Sequence, residues 1–355
     1  MKSKKIIDLF CGCGGFSKGF EDAGFEVELA LDSWNDAIET FNINHKKASG
    51  ITKNIYDFTN EEIKSFGEKH EIVGIIGGPP CQGFSMVGKR EASDERNTLY
   101  LQYVRFVEQI KPEFFILENV KGLLTLEKGY FKKEIVERFS ELGYNVTYKV
   151  LKACDYGVPQ KRERVFFVGL RKDIFGDKFF EYPEPVNHII GTEEALCDLP
   201  SLDNGELCTE YKTSPQNEFQ KKMRKKSKSI FNNEITVHTE QTKKIISMIP
   251  DGGNIKSLPN EYYKIRNYSS AFKRMNSKEP STTIDCGHRN YFHYKENRIP
   301  TVRESARIQS FPDDFKFLGT KTSQYTQVGN AVPPILAEKI GNAIIEMYKK
   351  NSKDN

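Results

Sequence analysis

Short apolar runs alternate with amphipathic stretches from the start of the chain to residue 170. The apolar runs predict strands, and the stretches with apolar residues at helical spacing predict helices. The predicted strands are residues 5–10, 27–31, 72–76, 114–117, 146–153 and 164–170. The predicted helices are residues 17–23, 35–45, 98–110 and 132–142. Strands and helices that alternate in this way are typical of an α/β fold.

The alternation ends at about residue 175, and the periodicity stays weak up to about residue 276. Proline, glycine and polar residues are frequent in this part of the chain. Helical spacing returns at residues 303–317 and in a closing helix at residues 335–347. We therefore predict a Rossmann-like catalytic and cofactor-binding domain made of residues 1–174 and 320–355. A smaller irregular domain, residues 175–319, is inserted before the C-terminal helix.

The composition argues against several classes of protein. The 355 residues contain no run of about 18 or more apolar residues, so no membrane span is expected. Seven cysteines occur without a Cys-x-x-Cys pair, which disfavours a disulfide framework and a structural zinc site. The first residues lack a signal-peptide core, so we expect a cytoplasmic protein with free thiols and no metal. A net charge of +4 is a mild indication of polyanion binding.

A glycine-rich turn follows the first predicted strand. It begins after Phe10 and contains, in order, Cys11, Gly12, Cys13, Gly14 and Gly15. A strand, a glycine turn and a helix together predict a nucleotide-binding sheet, because glycines let a ligand approach the backbone closely. Ser17 stands where the dinucleotide fingerprint requires a glycine. A nucleoside without phosphates therefore fits this turn better than a dinucleotide does.

The second predicted strand ends in Asp32, Ser33 and Trp34. In many α/β cofactor folds, an acid at this position hydrogen-bonds to a ribose. Trp34, the only tryptophan, could cover an adenine ring. Two alternatives remain open, because Asp32 could cap the next helix and Trp34 could belong to the core.

Potential catalytic side chains follow two further strands. Cys81 lies in a turn with two glycines and two prolines after the strand 72–76, and Glu118 follows the strand 114–117. The carboxyl ends of parallel strands meet at one edge of a sheet, where α/β proteins place their chemistry. A thiolate adds well to electron-poor double bonds, and a carboxyl group or an arginine can neutralise the charge that develops. The alternative is an incidental cysteine in a Pro-Gly turn.

Charged residues form three further features. Arg162 and Arg164 alternate into the last predicted strand, so both can converge on one anion. Residues 86–97 form a long charged loop beside Cys81, which predicts either a lid or a solvated connector. Residues 212–228 carry seven cations and a single acid, Glu218. This stretch predicts either a phosphate-contacting patch or an ordinary solvated surface.

Six stretches occur in the order that is typical of one enzyme family. They are residues 8–16, 78–85, 118–120, 160–164, 303–307 with 311–313, and 327–334. Each stretch alone would be a weak signal, but the ordered set is specific. The chain resembles the DNA (cytosine-5)-methyltransferases of bacterial and phage restriction-modification systems.

The resemblance implies S-adenosylmethionine as methyl donor and S-adenosylhomocysteine as product. Phe10 and the backbone of the glycine turn would line the cofactor site, Asp32 would bind the ribose hydroxyls, and Ser33 or Trp34 would lie against the adenine. Asn54 and Ile55 stand where the family usually has Asp-Ile. The amide oxygen of Asn54 can still accept a hydrogen bond from the adenine amino group. The remaining pocket residues implied by the resemblance are Pro79, Leu99, Asn330 and Val332.

The resemblance also implies the reaction and the partners. A cytosine leaves the DNA duplex, Cys81 adds to its C6 atom, and Glu118 protonates or hydrogen-bonds N3. Arg164, with Arg162, would hold the base carbonyl or the nearby backbone. Residues expected to contact DNA are Gln82, Ser85, Arg96 and Arg289. The inserted domain would read the DNA sequence, a restriction endonuclease would act on the same sequence, and the enzyme would be a monomer.

Three alternative functions are weighed against this one. The same chemistry can methylate a cytosine in transfer RNA, but the long variable insertion favours a reader of duplex DNA. A catalytically silent DNA-binding protein would not need Cys81, Glu118 and the two arginines. A nicotinamide-dependent oxidoreductase lacks its third glycine here and would leave Cys81 unexplained.

Overall fold

A computed structural model describes residues 4–80, 98–202, 205–263, 272–286 and 291–354. The chain divides into two compact units. The first unit comprises Met1–Lys152, Glu163–Glu184 and Leu336–Asn355, and the second comprises Ala153–Arg162 and Pro185–Ile335. Among the described residues, no helix combines the length and the apolar character needed to cross a bilayer.

The first unit is an α/β structure built on a seven-stranded sheet. Its strands are β1 Lys4–Leu9, β2 Phe25–Asp32, β3 Ser49–Thr52, β4 Ile72–Gly77, β5 Phe114–Val120, β6 Tyr144–Lys152 and β7 Glu163–Arg171. Its helices are α1 Gly15–Asp22, α2 Asn35–Asn44, α3 Asn60–His70, α4 Thr98–Ile110, α5 Tyr130–Glu141 and α6 Lys172–Phe175, followed much later by α13 Pro334–Asp354. The Rossmann-like α/β prediction is confirmed, as are the six predicted strands.

The order of the strands places their ends where chemistry can use them. The sheet order is β3-β2-β1-β4-β5-β7-β6. Strands β1 to β5 are parallel neighbours, whereas β7 runs antiparallel to β5 and β6 runs antiparallel to β7. The carboxyl ends of β1, β2, β4 and β5 therefore share one edge with the first residues of β7. The central strands β1, β4 and β5 are buried along most of their length, as is usual where helices cover both faces of a sheet.

Strand β3 and helix α3 are absent from the sequence prediction. Strand β3 contains one large apolar residue, Ile51, so it offers no apolar run. Helix α3 does carry a visible start signal, because the Thr59 hydroxyl accepts from the Glu62 N–H and the Glu62 carboxylate accepts from the Thr59 N–H. Such a capping box predicts a helix start.

The second unit is largely irregular in its described parts, and most of its regular structure is helical. Its helices are α7 Thr192–Leu196, α8 Glu218–Arg224, α9 Glu240–Ser247, α10 Asn260–Tyr263, α11 Val302–Ile308 and α12 Lys321–Asn330. Two short parallel strands, β8 Lys273–Arg274 and β9 Tyr291–Phe292, pair with each other. The helix predicted over residues 303–317 is too long, because α11 ends at Ile308 and Ser310 takes a left-handed φ of 66°.

The boundaries of the units differ from the predicted domain boundaries. Residues 320–335, predicted within the catalytic domain, belong to the second unit because α12 packs on α11. Residues 153–162 belong there as well. The Lys161 N–H donates to the Ser281 carbonyl at 2.8 Å, and the Gln160 amide oxygen accepts from the Ile284 N–H at 3.1 Å. The functional assignment of the two units stays a prediction.

Buried ion pairs hold the second unit together. The guanidinium of Arg307 is fully buried between the carboxylates of Asp198, at 2.6 Å, and Asp313, at 2.5 Å. Arg303, also fully buried, donates to the carbonyls of Phe231 and Pro312. These two arginines come from the motif at residues 303–307, so that motif supports the fold of the second unit.

Removing the Arg307 guanidinium is expected to destabilise the second unit strongly. In Arg307→Met, two buried carboxylates lose their cation, which costs about 3–5 kcal/mol in comparable pairs. Urea unfolding measures this loss. Arg224→Met is the matched control, because Arg224 also pairs with Asp198, at 3.1 Å, but is partly exposed. If both variants lost the same free energy of unfolding, the burial of Arg307 would not explain its contribution to stability.

Candidate active site

The glycine turn between β1 and α1 is held to the end of β2. The Cys11 N–H donates to the Leu31 carbonyl at 3.1 Å, and the Gly12 N–H donates to Asp32 Oδ2 at 2.8 Å. Phe10 and Gly12 both take left-handed φ values, 60° and 53°. A Cβ atom added to Gly12 would meet nothing within 4 Å, so this side of the turn is open to a ligand.

Asp32 orders the turn while keeping capacity for a ligand. Its carboxylate accepts from the Gly12 N–H and, at 2.9 Å, from the Trp34 N–H. Burial raises the pKa of Asp32, and the N–H groups of Trp34, Gly12 and Ser33 oppose that rise. A carboxylate has about four lone-pair sites, so acceptors remain for a hydroxyl pair. Asp32 does not cap α2, whose first turn begins after Trp34 without a side-chain cap.

The cysteines of the turn are poor nucleophiles. Cys11 and Cys13 are buried, and burial raises the pKa of Cys13 to about 12 and that of Cys11 in the same direction. The reactive form of a cysteine is the thiolate, so both side chains stay inert at neutral pH. Asp8 below them accepts from the Ser17 hydroxyl at 2.6 Å, and burial raises its pKa to about 7.

The segment after β3 is joined to the same corner of the sheet. The Lys53 N–H donates to the Asp32 carbonyl at 3.0 Å. The Asn54 side-chain oxygen accepts from the Tyr56 N–H at 3.2 Å, which starts a 3-10 turn over Ile55–Asp57. Ile55 is buried and Asn54 is exposed. Trp34 is half-buried and Ser33 exposed, so Trp34 is not the core residue that the alternative suggested.

Glu118 and Arg164 form an ion pair at the edge of the sheet. Arg164 Nε lies 2.9 Å from Glu118 Oε1. The register explains the contact, because Val120 pairs with Arg164 and Glu118 with Phe166, which puts both side chains on one face. A Cβ atom added to Gly78 would meet Glu118 Oε2 at 2.9 Å. The second carboxylate oxygen of Glu118 therefore faces the turn that leads to Cys81.

Asn119 holds that turn in place through hydrogen bonds of its side chain. Its side-chain amide donates to the Pro79 carbonyl at 3.0 Å, and its side-chain oxygen accepts from the Val120 N–H at 2.8 Å. Asn119 and Pro79 are buried. The sequence prediction gives Asn119 no role, although it stands directly after Glu118.

Arg162 has a partner in the second unit. It belongs to the second unit, is buried, and donates to the Asn330 carbonyl at 3.4 Å. The Asn330 side-chain oxygen accepts from the Cys286 thiol at 2.6 Å, and Val332 is buried in the same unit. The convergence of Arg162 and Arg164 on one anion stays a prediction.

The remaining predicted residues divide into two groups. Leu99 is half-buried against the apolar core of the first unit, at the start of α4. The others lie outside the described residues: Cys81, Gln82, Ser85, Arg96 and Arg289, together with the whole 86–97 loop.

The site has the acceptor groups and the open space expected for a phosphate-free nucleoside cofactor. The open side of Gly12 leaves room beside the backbone, and Asp32 offers carboxylate oxygens at the end of β2. The segment from Phe10 to Gly15 contains no lysine or arginine that would neutralise a phosphate. A nucleoside without phosphates matches these features.

Comparison with known proteins agrees with this chemistry. The family model described as C-5 cytosine-specific DNA methylase matches residues 4–346. The type II methyltransferase M.DdeI of Desulfomicrobium norvegicum is 38% identical over 366 residues, covering 96% of this chain and 88% of that protein. The type II methyltransferase M1.HphI of Haemophilus parahaemolyticus is 38% identical over 349 residues, covering 97% and 87%.

Solved structures show the same fold. A proposed DNA modification methyltransferase encoded within a prophage of E. coli superposes with a TM-score of 0.83 at 29% identity, covering 98% of this chain and all of that one. The Dnmt2 methyltransferase of S. pombe gives a TM-score of 0.62 at 15% identity, covering 98% and 99%, which shows a shared fold.

Proposed function

The chain belongs to the C-5 cytosine-specific DNA methylase family, and from this premise we propose which of its residues carry out the family's reaction. The protein is a DNA (cytosine-5)-methyltransferase that is similar to enzymes of type II restriction-modification systems. Its substrate is double-stranded DNA, and the family uses S-adenosylmethionine.

The cofactor site is formed by the glycine turn and the neighbouring strand ends. Asp32 binds the ribose hydroxyls, Trp34 and Ser33 lie at the adenine, and Asn54 with Ile55 contacts the adenine edge. Pro79 and Leu99 complete the part of the pocket that the first unit provides. When bound there, the cofactor supplies an electrophilic methyl group to C5 of cytosine.

Cys81 and Glu118 activate the base. The target cytosine leaves the stack, because its ring carbons cannot be reached inside a duplex. The Cys81 thiolate forms a bond to C6, the electrons of the C5–C6 double bond shift into the ring, and N3 takes a proton from Glu118. C5 thereby becomes nucleophilic. After methylation, loss of the C5 proton and departure of Cys81 restore the aromatic ring.

The observation that carries this proposal is the position of the Glu118 carboxylate. One oxygen pairs with Arg164 at 2.9 Å, and the other faces Gly78, three residues before Cys81. An acid, a cation and Gly78, at the start of the segment that leads to Cys81, therefore lie at one edge of the sheet. The base carbonyl would lie at Arg164, where a guanidinium can stabilise developing charge.

Direct assay of the product tests this function. Duplex DNA exposed to the protein and S-adenosylmethionine should gain 5-methylcytosine at one recurring sequence, which bisulfite mapping would identify. Transfer RNA should gain none under the same conditions. Methylation of transfer RNA that exceeds methylation of duplex DNA would overturn the substrate assignment.

The second unit reads the DNA sequence in this proposal. Within residues 212–228, the structure removes Arg224 from the candidate DNA contacts, because it pairs with Asp198 and lies over the Tyr211 ring. Lys221 pairs with Glu218. Lys225, Lys226 and Lys228 are exposed. These three lysines are the proposed phosphate contacts.

Neutralising the three lysines is expected to weaken the salt dependence of DNA binding. Each lost phosphate contact reduces the slope of log K against log salt by about 0.9, so Lys225→Gln with Lys226→Gln and Lys228→Gln should reduce it by about 2–3. Fluorescence anisotropy with a short duplex over a salt series gives this slope. The control removes the same charge from exposed helix positions of the first unit: Lys64, Lys69 and Lys133. Equal slopes for both triple variants would exclude this contact surface.

The proposal includes one further partner and an oligomeric state. We expect a restriction endonuclease that cleaves the same sequence without contacting this protein, and we expect the methyltransferase to act as a monomer. Each target cytosine is modified by one active site, so one chain suffices for the chemistry.

A further inference from the structure

Arg105 on α4 donates hydrogen bonds to the main chain of the turn that carries Asn54 and Ile55. Its Nη2 donates to the Ile55 carbonyl at 2.9 Å, and its Nη1 donates to the Phe58 carbonyl at 2.7 Å. The two carbonyls bracket the 3-10 turn over Ile55–Asp57. One guanidinium therefore fixes both ends of this short segment.

The two hydrogen bonds from Arg105 are stronger than ordinary surface hydrogen bonds. Arg105 is half-buried, and burial lowers its pKa. Its guanidinium therefore lies in a partly desolvated place, where it faces main-chain oxygens. Hydrogen bonds from a charged donor are stronger than neutral ones. The Phe58 ring packs edge-on against Phe106 with centroids 5.7 Å apart, which keeps the segment on α4.

The segment that Arg105 holds is linked to the glycine turn through Asp32. The Lys53 N–H donates to the Asp32 carbonyl, and the Asp32 carboxylate accepts from the Gly12 N–H. The position of Asn54 thus depends on α4 on one side and on Asp32 on the other. The Asn54 side-chain oxygen accepts from the Tyr56 N–H of the same turn.

We propose that Arg105 is a positioning residue for recognition of the adenine base of the cofactor. The proposal rests on the cofactor site described above. Arg105 does not contact the ligand, but it sets the turn that presents Asn54 and Ile55 to the adenine edge. A turn that is already ordered loses less conformational entropy when the adenine binds. The net free energy of binding is therefore more favourable when Arg105 holds the turn in place.

The test compares ligands with and without the adenine. S-Adenosylhomocysteine and 5′-methylthioadenosine carry the base, whereas S-ribosylhomocysteine lacks it. In Arg105→Met, the affinity for the first two ligands should fall roughly tenfold, since two charged hydrogen bonds to the turn are lost. The affinity for S-ribosylhomocysteine should not change. Arg105→Lys, which can reach one carbonyl, should give an intermediate loss.

Arg171→Met is the matched control. Arg171 is a half-buried arginine of the same unit and also donates to a main-chain carbonyl, that of Lys111, far along the chain from the Asn54 turn. It should leave all three affinities unchanged even if the melting temperature falls. Amide exchange at Tyr56 and Asp57 should accelerate in Arg105→Met and not in the control.

The outcomes separate this inference from the proposed function. If Arg105→Met weakens all three ligands by one factor, or none of them, Arg105 has no part in positioning the adenine turn. If the wild type binds neither S-adenosylhomocysteine nor 5′-methylthioadenosine in titration calorimetry, the proposed cofactor site is wrong instead.

Discussion

Cys81→Ala is expected to abolish methyl transfer, with a loss of about 10⁴-fold or more. Cytosine C5 is a weak nucleophile until a sulfur adds to C6, so removing the sulfur removes the only activating step. Binding of the duplex should persist, because the phosphate contacts do not involve the thiol. The measurement is transfer of a labelled methyl group to duplex DNA at saturating cofactor.

Covalent trapping distinguishes this role from a structural one. A duplex with 5-fluorocytosine in the methylated position should form an adduct with the wild type that survives denaturation, because fluorine cannot leave as the C5 proton does. Cys81→Ala should form none. Cys208→Ala is the matched control, since Cys208 is a partly exposed free thiol of the second unit. An active Cys81→Ala enzyme would mean that the covalent route is wrong.

Glu118→Gln is expected to lower kcat by about 10²–10⁴-fold, the usual contribution of a general acid. Glutamine keeps the shape and can still hydrogen-bond to Arg164, but it cannot deliver a proton to N3. KM for DNA should change little, since the substitution affects a step after the base has left the duplex. Single-turnover methylation of a defined duplex separates the rate from the affinity.

Asn119→Ala provides a contrast to Glu118→Gln. Asn119 holds the Pro79 carbonyl and has no place in the proton transfer. Its loss should lower activity through the position of the Cys81 turn, so slower adduct formation with 5-fluorocytosine should account for the whole effect. If Glu118→Gln left kcat within a few-fold of the wild type, another group would have to protonate the base.

The sheet and the placement of its acid followed from short-range patterns. Apolar runs predict the strands, and because parallel strands end at one edge, the sequence alone places the Gly77 turn and Glu118 together. The glycine turn was equally clear, since the combination of strand, glycines and helix is local. Ser49–Thr52 was missed because an edge strand of four residues needs no apolar run.

Long-range polar contacts could not be predicted in this way. Arg105 reaches carbonyls 47 and 50 residues earlier in the chain, and every residue has a carbonyl, so no side-chain pattern marks its partners. Arg162 and Arg164 are alike in sequence, but the chain enters β7 between them. Arg164 then belongs to the sheet, whereas Arg162 lies with the second unit.

Helix α13 completes the first unit with residues from the other end of the chain. Lys4 Nζ lies 3.3 Å from the centre of the Tyr348 ring, and Asn351 donates to the Ile174 carbonyl at 2.8 Å. During synthesis on the ribosome, strand β1 emerges first but must wait for almost the whole chain before this helix can cover it. The second unit is translated in the meantime. A nascent chain stalled before residue 336 would expose apolar sheet surface, making it a natural client for chaperones.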